Sequence, residues 1–260
     1  MKDKIIVITG ATRGIGLALK EKLSGTNTVV TMSRSETPDG KTAFKADVGN
    51  RAEVKEVFDS IGSLYGRIDI LINNAGYGLS GATELLPEAE VRRITDTNFL
   101  GALWCCQCAL PYMEKGAKIA NISSLSGLCP MPFRTMYNST KAALSMLSYS
   151  LNVELRPIGI DCTVFLLGAV KTDFSKNRTL LSATDARYGE AVKNVDDFVY
   201  KKRNKGKLSL EYLTDFIVKK LKKKRIKPRY VVGLPYRLAY VICVFFPVLA
   251  MRLTSFIMKR

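Results

Sequence analysis

The chain alternates two apolar patterns. Short, mostly apolar runs bounded by polar or small residues predict buried strands at 4–9, 28–32, 45–48, 68–72, 118–122 and 160–167. Between them, apolar residues recur every three or four positions, which predicts helices just after Gly16, over 50–65, over 87–113 and from Tyr137 through Leu151. Leu210, Leu213, Ile217 and Leu221 share one further helix face. Strands alternating with helices in this way predict an α/β domain built on a single doubly wound parallel sheet.

Two stretches leave that pattern. Residues 173–207 are polar and weakly periodic, and they follow a strand end; they are read as a substrate lid. Beyond residue 235 the chain becomes apolar without a strand–helix rhythm. Residues 238–251 carry no charge and contain Pro247, Arg252 interrupts, and the apolar pattern resumes to Met258. The expected organisation is therefore a main domain over 1–235 and a hydrophobic segment over 236–260.

In doubly wound sheets, ligands sit beyond the carboxyl ends of the strands. The first strand runs straight into Gly10-Ala-Thr-Arg-Gly14-Ile-Gly16 and then a helix. Glycines let backbone turn tightly against a pyrophosphate, and the helix N-terminus offers N–H groups to it. Thr9, Gly10, Thr12, Arg13, Gly14, Ile15 and Gly16 are thus candidate dinucleotide contacts. The second strand ends in Ser33-Arg34, with no carboxylate to hold a ribose 2′-hydroxyl. An arginine there suits a 2′-phosphate, which points to NADP(H). Asp47, beside Val48, either meets the adenine or caps the next helix. Asn73-Asn74-Ala75-Gly76 follows the fourth strand; its small residues let backbone lie against a cofactor, and its amides can also pin neighbouring strands.

The densest chemistry lies between Asn121 and Lys141. Pro130 and Pro132 force an irregular loop after a strand, and Tyr137 and Lys141 then fall at i and i+4 of a helix. A free phenol titrates near ~10 and is a poor proton donor at neutral pH; a neighbouring ammonium favours its ionised form. Ser124, at the strand end, can bond the same substrate oxygen. Leu128, Met131, Phe133 and Met136 are expected to line an apolar pocket beside this group, and Arg134 to meet an anionic head group. Asn98, inside a predicted helix where Asn is locally unfavourable, calls for a reason of its own.

Composition narrows the chemistry. The 260 residues contain no histidine, which removes Ser-His-Asp hydrolysis, histidine metal sites and a histidine base. No metal site is expected. Cys105, Cys106 and Cys108 lie in an apolar helical run and read as small core residues of a reducing, cytoplasmic compartment. A strand beginning at Lys4 leaves no room for a cleavable leader. The hydrophobic fraction is 47% and mean hydropathy is +0.05, high for a fully soluble chain. The net charge of +17 is uneven: residues 201–260 hold 17 Lys/Arg against 2 Asp/Glu, and the first 200 residues hold 23 against 21.

Taken together, the motifs are similar to those of the short-chain dehydrogenase/reductase family. The resemblance covers about 4–175. It rests on Thr9-Gly-x-x-x-Gly-Ile-Gly16, Asn73-Asn-Ala-Gly76, Asn98, Ser124 placed 13 residues before Tyr137, Tyr137-x-x-x-Lys141, and Gly168-x-Val-x-Thr172. It implies a Rossmann fold and hydride exchange between a nicotinamide and a ketone or secondary alcohol. Tyr137 would be acid or base, Lys141 its tuning cation and ribose ligand, and Ser124 the carbonyl anchor. Asn98 would hold a relay water. Val170 and Thr172 would meet the carboxamide, with Gly168 also a cofactor contact. Leu167-Gly168 departs from the family's usual Pro-Gly. The stretches 132–144 and 168–172 are similar to the acyl-dihydroxyacetone-phosphate reductase branch, and 229–233 resembles the family's last strand as found in steroid, retinoid and acyl-lipid members. A lipophilic substrate and a homo-oligomer follow as expectations; a non-catalytic sensor of the same cofactor is the alternative.

Residues 219–229 contain eight Lys/Arg just ahead of the apolar tail. Three readings stand for 238–258: a membrane span, an interfacial anchor gripping anionic lipid, or a helix closing the pocket or a dimer interface. The basic flank favours the interfacial anchor, peripheral to a membrane. No aromatics are interleaved in the basic run, so nucleic acid is not expected as a partner.

Overall fold

The structure is a computed structural model that describes residues 1–172, 174, 178–181, 187–188, 190–198 and 207–256. The first half runs β1 (Ile5–Thr9), α1 (Gly14–Ser24), β2 (Thr28–Ser33), β3 (Ala43–Lys45), α2 (Arg51–Tyr65) and β4 (Ile70–Asn73). A short β5 (Leu79–Ser80) precedes α3 (Glu88–Thr95) and α4 (Gly101–Ala109). Then follow β6 (Lys118–Ser124), α5 (Thr135–Leu155), β7 (Asp161–Leu167), β8 (Thr179–Leu180), α6 (Ala191–Asp197), α7 (Leu210–Leu221), β9 (Arg229–Val231), α8 (Leu234–Phe245) and α9 (Pro247–Ser255).

Seven strands form one parallel sheet in the order β3-β2-β1-β4-β6-β7-β9, and β5 pairs with β8 outside it. The order reverses between β1 and β4, which opens a crevice at the carboxyl ends of these strands. Successive strand residues point to opposite faces, and both faces are covered. On one side Val7, Val30, Met32, Leu71 and Ile119 pack under α2, α4 and α5. On the other, Ile6, Ile8, Ile72, Ile122 and Phe165 pack under α1 and α7. The expected doubly wound parallel sheet, a Rossmann fold, is what the chain forms.

Several boundaries differ from expectation for local reasons. The third strand ends at Lys45, because Asp47 turns back to accept the Gly49 N–H at 2.8 Å. Asn50, not Asp47, caps α2: its side-chain oxygen accepts the Ala52 and Glu53 N–H groups. The predicted helix over 87–113 is divided at Asp96–Leu100 by a π-turn, which carries Asn98. Part of the expected lid, 173–207, lies outside the described residues; its described part includes β8 and α6, so it is not loop throughout. Cys129 and Cys243 form a disulfide, so the expectation of reduced thiols is not met at this pair. Cys105 and Cys106 are buried core residues as read, and Cys108 is half-buried.

The asparagines after β4 do pin strands. Asn73 donates to Asn121 Oδ1 at 2.8 Å and so joins β4 to β6. Asn74 donates to the carbonyls of Thr9 (3.0 Å) and Gly10 (2.9 Å), which holds β4 to the end of β1.

Candidate active site

A cavity of about 570 Å³ lies at the carboxyl ends of the sheet, within the ~300–1,000 Å³ usual for ligand sites. Its floor at one end is the turn after β1. Gly10 and Gly14 adopt φ of +66° and +57°, conformations that a side chain would strain. A Cβ on Gly10 would also stand 2.9 Å from Ala75 Cα. The helix N-terminus at Gly14 has no side-chain cap and no acidic residue in its first turn. Thr12, Arg13, Gly14 and Ile15 face the cavity there. Ser33, Arg34, Asp47 and Val48 close this end, and the buried Ser33 Oγ has no hydrogen-bond partner. An uncapped helix N-terminus, a buried unbonded hydroxyl and a cationic rim fit the phosphate and ribose groups of a dinucleotide. Arg34 currently faces Asp47 at 3.7 Å across a largely exposed gap.

Asn74, Ala75 and Gly76 line the middle of the cavity. The hydroxyl of Thr9 accepts the N–H groups of Asn74 and Ala75, both at 3.0 Å, and so fixes this segment against β1. Thr9 itself is 1% exposed and does not reach the cavity. Gly16 does not reach it either. A Cβ there would meet the Gly10 carbonyl at 2.4 Å and the Asn74 amide at 2.6 Å, so this glycine permits close packing rather than ligand contact.

At the other end, Ser124, Tyr137 and Lys141 converge on the cavity. Ser124 ends β6; its Oγ accepts the Ser126 N–H (3.1 Å) and donates to the Leu167 carbonyl (3.4 Å). Tyr137 and Lys141 lie one turn apart on the buried face of α5. The Lys141 ammonium donates to the Ile122 carbonyl at 3.0 Å. Burial lowers its pKa from the ordinary 10.5 to about 8. Asn98 stands behind this group and not in the cavity wall. Its Oδ1 accepts the Tyr77 N–H (3.0 Å) and its Nδ2 donates to the Tyr77 carbonyl (2.9 Å), so the π-turn clamps the segment after β4. A Cβ on Gly76 would stand 3.0 Å from Asn98 Oδ1 and 3.4 Å from Lys141 Nζ, which explains the glycine there.

Gly168, Val170 and Thr172 complete the wall after β7. The Lys171 N–H donates to the Leu208 carbonyl, and the Leu208 N–H to Ala169, each at 2.9 Å. The ring of Tyr236 lies where a Cβ on Gly168 would be, 2.1 Å away. Its hydroxyl accepts the Ala169 N–H at 3.1 Å. Tyr236, from α8, therefore supports this turn in a chain that has Leu167 where proline is usual.

The apolar wall differs from expectation. Of the four predicted residues only Met131 lines the cavity. Leu128 is partly exposed, Phe133 packs edge-on to Tyr188, and Met136 packs into the cluster of Tyr77, Ile94 and Tyr137 without lining the cavity itself. Their places are taken by Leu125, Cys129, Phe174, Tyr236, Ala239 and Leu253. Arg134 does line the cavity, buried, with its guanidinium 4.4 Å from the centre of the Tyr137 ring. Ser35, whose hydroxyl lies 3.2 Å from that of Thr12, was missed; its position directly after Ser33-Arg34 was the available signal.

The short chain dehydrogenase family matches residues 4–181. A 3-ketodihydrosphingosine reductase of Bacteroides thetaiotaomicron is 37% identical over 189 residues, covering 71% of this chain and 70% of that protein. A 3beta-hydroxysteroid dehydrogenase of Mediterraneibacter gnavus is 32% identical over 190 residues, covering 67% and 68%. A short-chain dehydrogenase from Streptomyces avermitilis superposes with a TM-score of 0.82 over 98% of both chains, at 26% identity. With its parallel sheet, its glycine turn and its Ser-Tyr-Lys convergence, the chain belongs to the short-chain dehydrogenase family, an oxidoreductase of CH–OH groups on a nicotinamide-dinucleotide fold.

Proposed function

We propose that the protein is an NADP(H)-dependent reductase of a lipophilic ketone, interconverting it with the secondary alcohol. The observation that carries this reading is the shared cavity: Ser124, Tyr137 and Lys141 meet at one end of a dinucleotide cradle, beside an apolar wall. Arg34, with Ser33, Ser35 and Arg13 near it, is the 2′-phosphate ligand that favours NADP(H). Thr12, Gly14 and Ile15 would lie along the pyrophosphate, Asp47 and Val48 by the adenine, and Val170 and Thr172 by the carboxamide. When bound, the reduced nicotinamide supplies the hydride that the carbonyl carbon takes up.

The protein's own groups manage the oxygen. Ser124 donates a hydrogen bond to the ketone oxygen, and Tyr137 gives that oxygen its proton. Lys141, with a pKa near 8, is matched to neutral pH as the group behind Tyr137 in the proton path. Asn98 keeps the Gly76–Tyr77 segment in place around that ammonium and is a positioning residue. The walls formed by Leu125, Met131 and Phe174 suit a substrate that is mostly hydrocarbon. Two relatives are named for molecules of that kind, a 3-ketodihydrosphingosine and a 3beta-hydroxysteroid. Met146 and Val153, exposed on α5 at 63% and 75%, support pairing with a second copy.

The test is NADPH oxidation against a panel of short ketones, steroids, retinal and long-chain keto lipids, with NADH in parallel and Tyr137→Phe alongside. Turnover with NADPH that drops by about a hundredfold or more in the variant is expected. NADPH binding with no turnover on any ketone would replace the enzyme reading with that of a sensor.

A further inference from the structure

The tail beyond β9 forms a hairpin with two chemically different faces. In α8, Tyr236 and Cys243 are buried, and Tyr236 lines the cavity with Ala239. On the opposite side of the helix, Leu234, Leu238, Val241 and Phe245 recur at helical spacing and are 42–76% exposed. Phe246, Val248, Leu249 and Met251 continue that surface around the bend and along α9. Of the 19 large hydrophobic residues exposed among the described residues, 11 lie between Leu234 and Phe256. Concentrated exposure of this kind marks a contact surface rather than ordinary scatter.

The geometry is not that of one straight span. No single helix among the described residues is long and apolar enough to cross a membrane, and α8 and α9 are bent by 116°. At about 1.5 Å per residue each is far shorter than the ~30 Å hydrocarbon core. The inner face of α8 is also committed to the protein. Tyr236 is hydrogen-bonded to Ala169, and Cys243 is joined to Cys129 in the loop after β6. Lipid can therefore meet this hairpin from one side only.

Charge identifies the surface it meets. The basic run from Lys219 to Arg229 does not trail away from the hairpin. The Arg229 guanidinium lies 4.4 Å from the centre of the Tyr240 ring on α8. Arg237 on α8 shares its neighbourhood with Lys220, Lys223 and Lys227: burial first and then these cations push the Lys220 pKa down. A cluster of mutually repelling cations beside an exposed apolar face is complementary to a surface that is anionic at the headgroup and hydrocarbon beneath.

We propose that α8 and α9 seat the protein, from one side and without spanning, on an anionic lipid surface, with the substrate cavity opening at that seat. Leu253 carries the second half of this inference, since it lines the cavity and is also 55% exposed on the apolar face. A lipophilic ketone then passes between bilayer and cavity along the hairpin without crossing water. The passage rests on the ketone-reductase reading; the seating does not.

The test uses the whole protein, vesicles of phosphatidylcholine alone or with about one-third phosphatidylglycerol, and the variants L238E/F245E and K222E/K223E. None of these four residues lines the cavity. Expected is flotation of the unaltered protein with the anionic vesicles at physiological salt, and about tenfold less with the neutral ones. Each variant should melt as the parent does, oxidise NADPH with a soluble short ketone as the parent does, and lose flotation by about tenfold. With a long-chain ketone held in the anionic vesicles, turnover should fall by a similar factor. Equal flotation on neutral vesicles, or retained flotation of L238E/F245E, would overturn the seating. So would a solution dimer that this variant splits while neither protein floats, which would assign the face to a second copy. Flotation without turnover on any ketone would instead sink the enzyme reading and the passage with it, leaving the seat.

Discussion

Lys141 is held where a lysine is least comfortable. It is 5% exposed, and its ammonium has the Ile122 carbonyl at 3.0 Å as its hydrogen-bond acceptor. Its folded pKa of about 8 lies below the ordinary 10.5, so below pH 8 the folded state carries a desolvated charge that the unfolded chain hydrates freely. Between about pH 8 and 10.5 the unfolded state binds more protons than the folded one, and this residue's contribution to stability rises with pH. Above 10.5 it is neutral in both states and the penalty is gone. A shift of this size corresponds to roughly 3 kcal/mol at neutral pH, at 1.36 kcal/mol per unit. Lys141→Met should therefore melt higher than the parent at pH 7, by about 2–4 °C for each kcal/mol recovered. That gain should shrink steadily from pH 8 to 10.5, while ketone turnover falls by about a hundredfold or more. Thermal melts across that range, beside turnover at pH 7, check both halves. A variant that melts lower at every pH would mean that Lys141 supports the fold and not only the chemistry.

The π-turn between α3 and α4 shows at the scale of an element how an unfavourable residue is accommodated. One wider turn presents both amide atoms of Asn98 to the main chain of Tyr77. Asn98→Ala would leave a buried N–H and a buried C=O unbonded, at about 1–3 kcal/mol for each group left unsatisfied. The expected outcome is a lower melting temperature together with reduced turnover at every substrate concentration, because the Gly76 segment loses its clamp. Unchanged turnover would show that the segment holds itself. The position of Asn98 was legible in the sequence, but the π-turn was not: one extra residue per turn leaves apolar spacing almost unaltered. The same contrast runs through the site. Tyr137 and Lys141 were readable because their relation is local to one helix, and the glycine turn because strand and helix flank it directly. Tyr236 filling the space over Gly168, Cys129 meeting Cys243, and the replacement of Leu128, Phe133 and Met136 in the cavity wall were not readable. Each depends on how an element more than 50 residues away packs, or on which way the side chains between 128 and 136 turn.

At the scale of the whole molecule, the cofactor cradle draws on the ends of β1, β2, β4, β6 and β7, so occupancy should stabilise the sheet as a unit. A ligand that binds only the folded state adds about 2.7 kcal/mol at a hundred times its Kd. A tenfold preference for NADPH over NADH corresponds to about 1.4 kcal/mol, or about 3–6 °C of extra melting temperature at equal concentrations. Two explanations compete for such a preference. NADPH carries the additional phosphate charge, and any strongly cationic chain attracts it; alternatively Arg34 binds that phosphate in place. The uneven charge of this protein separates them. The excess lies in residues 201–260, while the first 200, which hold the cradle, are nearly balanced. K222E/K223E changes the net charge twice as much as Arg34→Asp but away from the cavity. If Arg34 is the ligand, Arg34→Asp should abolish or reverse the NADPH advantage, and K222E/K223E should leave it intact. Loss of the advantage in K222E/K223E with retention in Arg34→Asp would assign it to long-range attraction and remove Arg34 from the site. Repeating both melts at high salt sharpens the comparison, since screening over a few ångströms weakens the distant contribution far more than a direct phosphate contact.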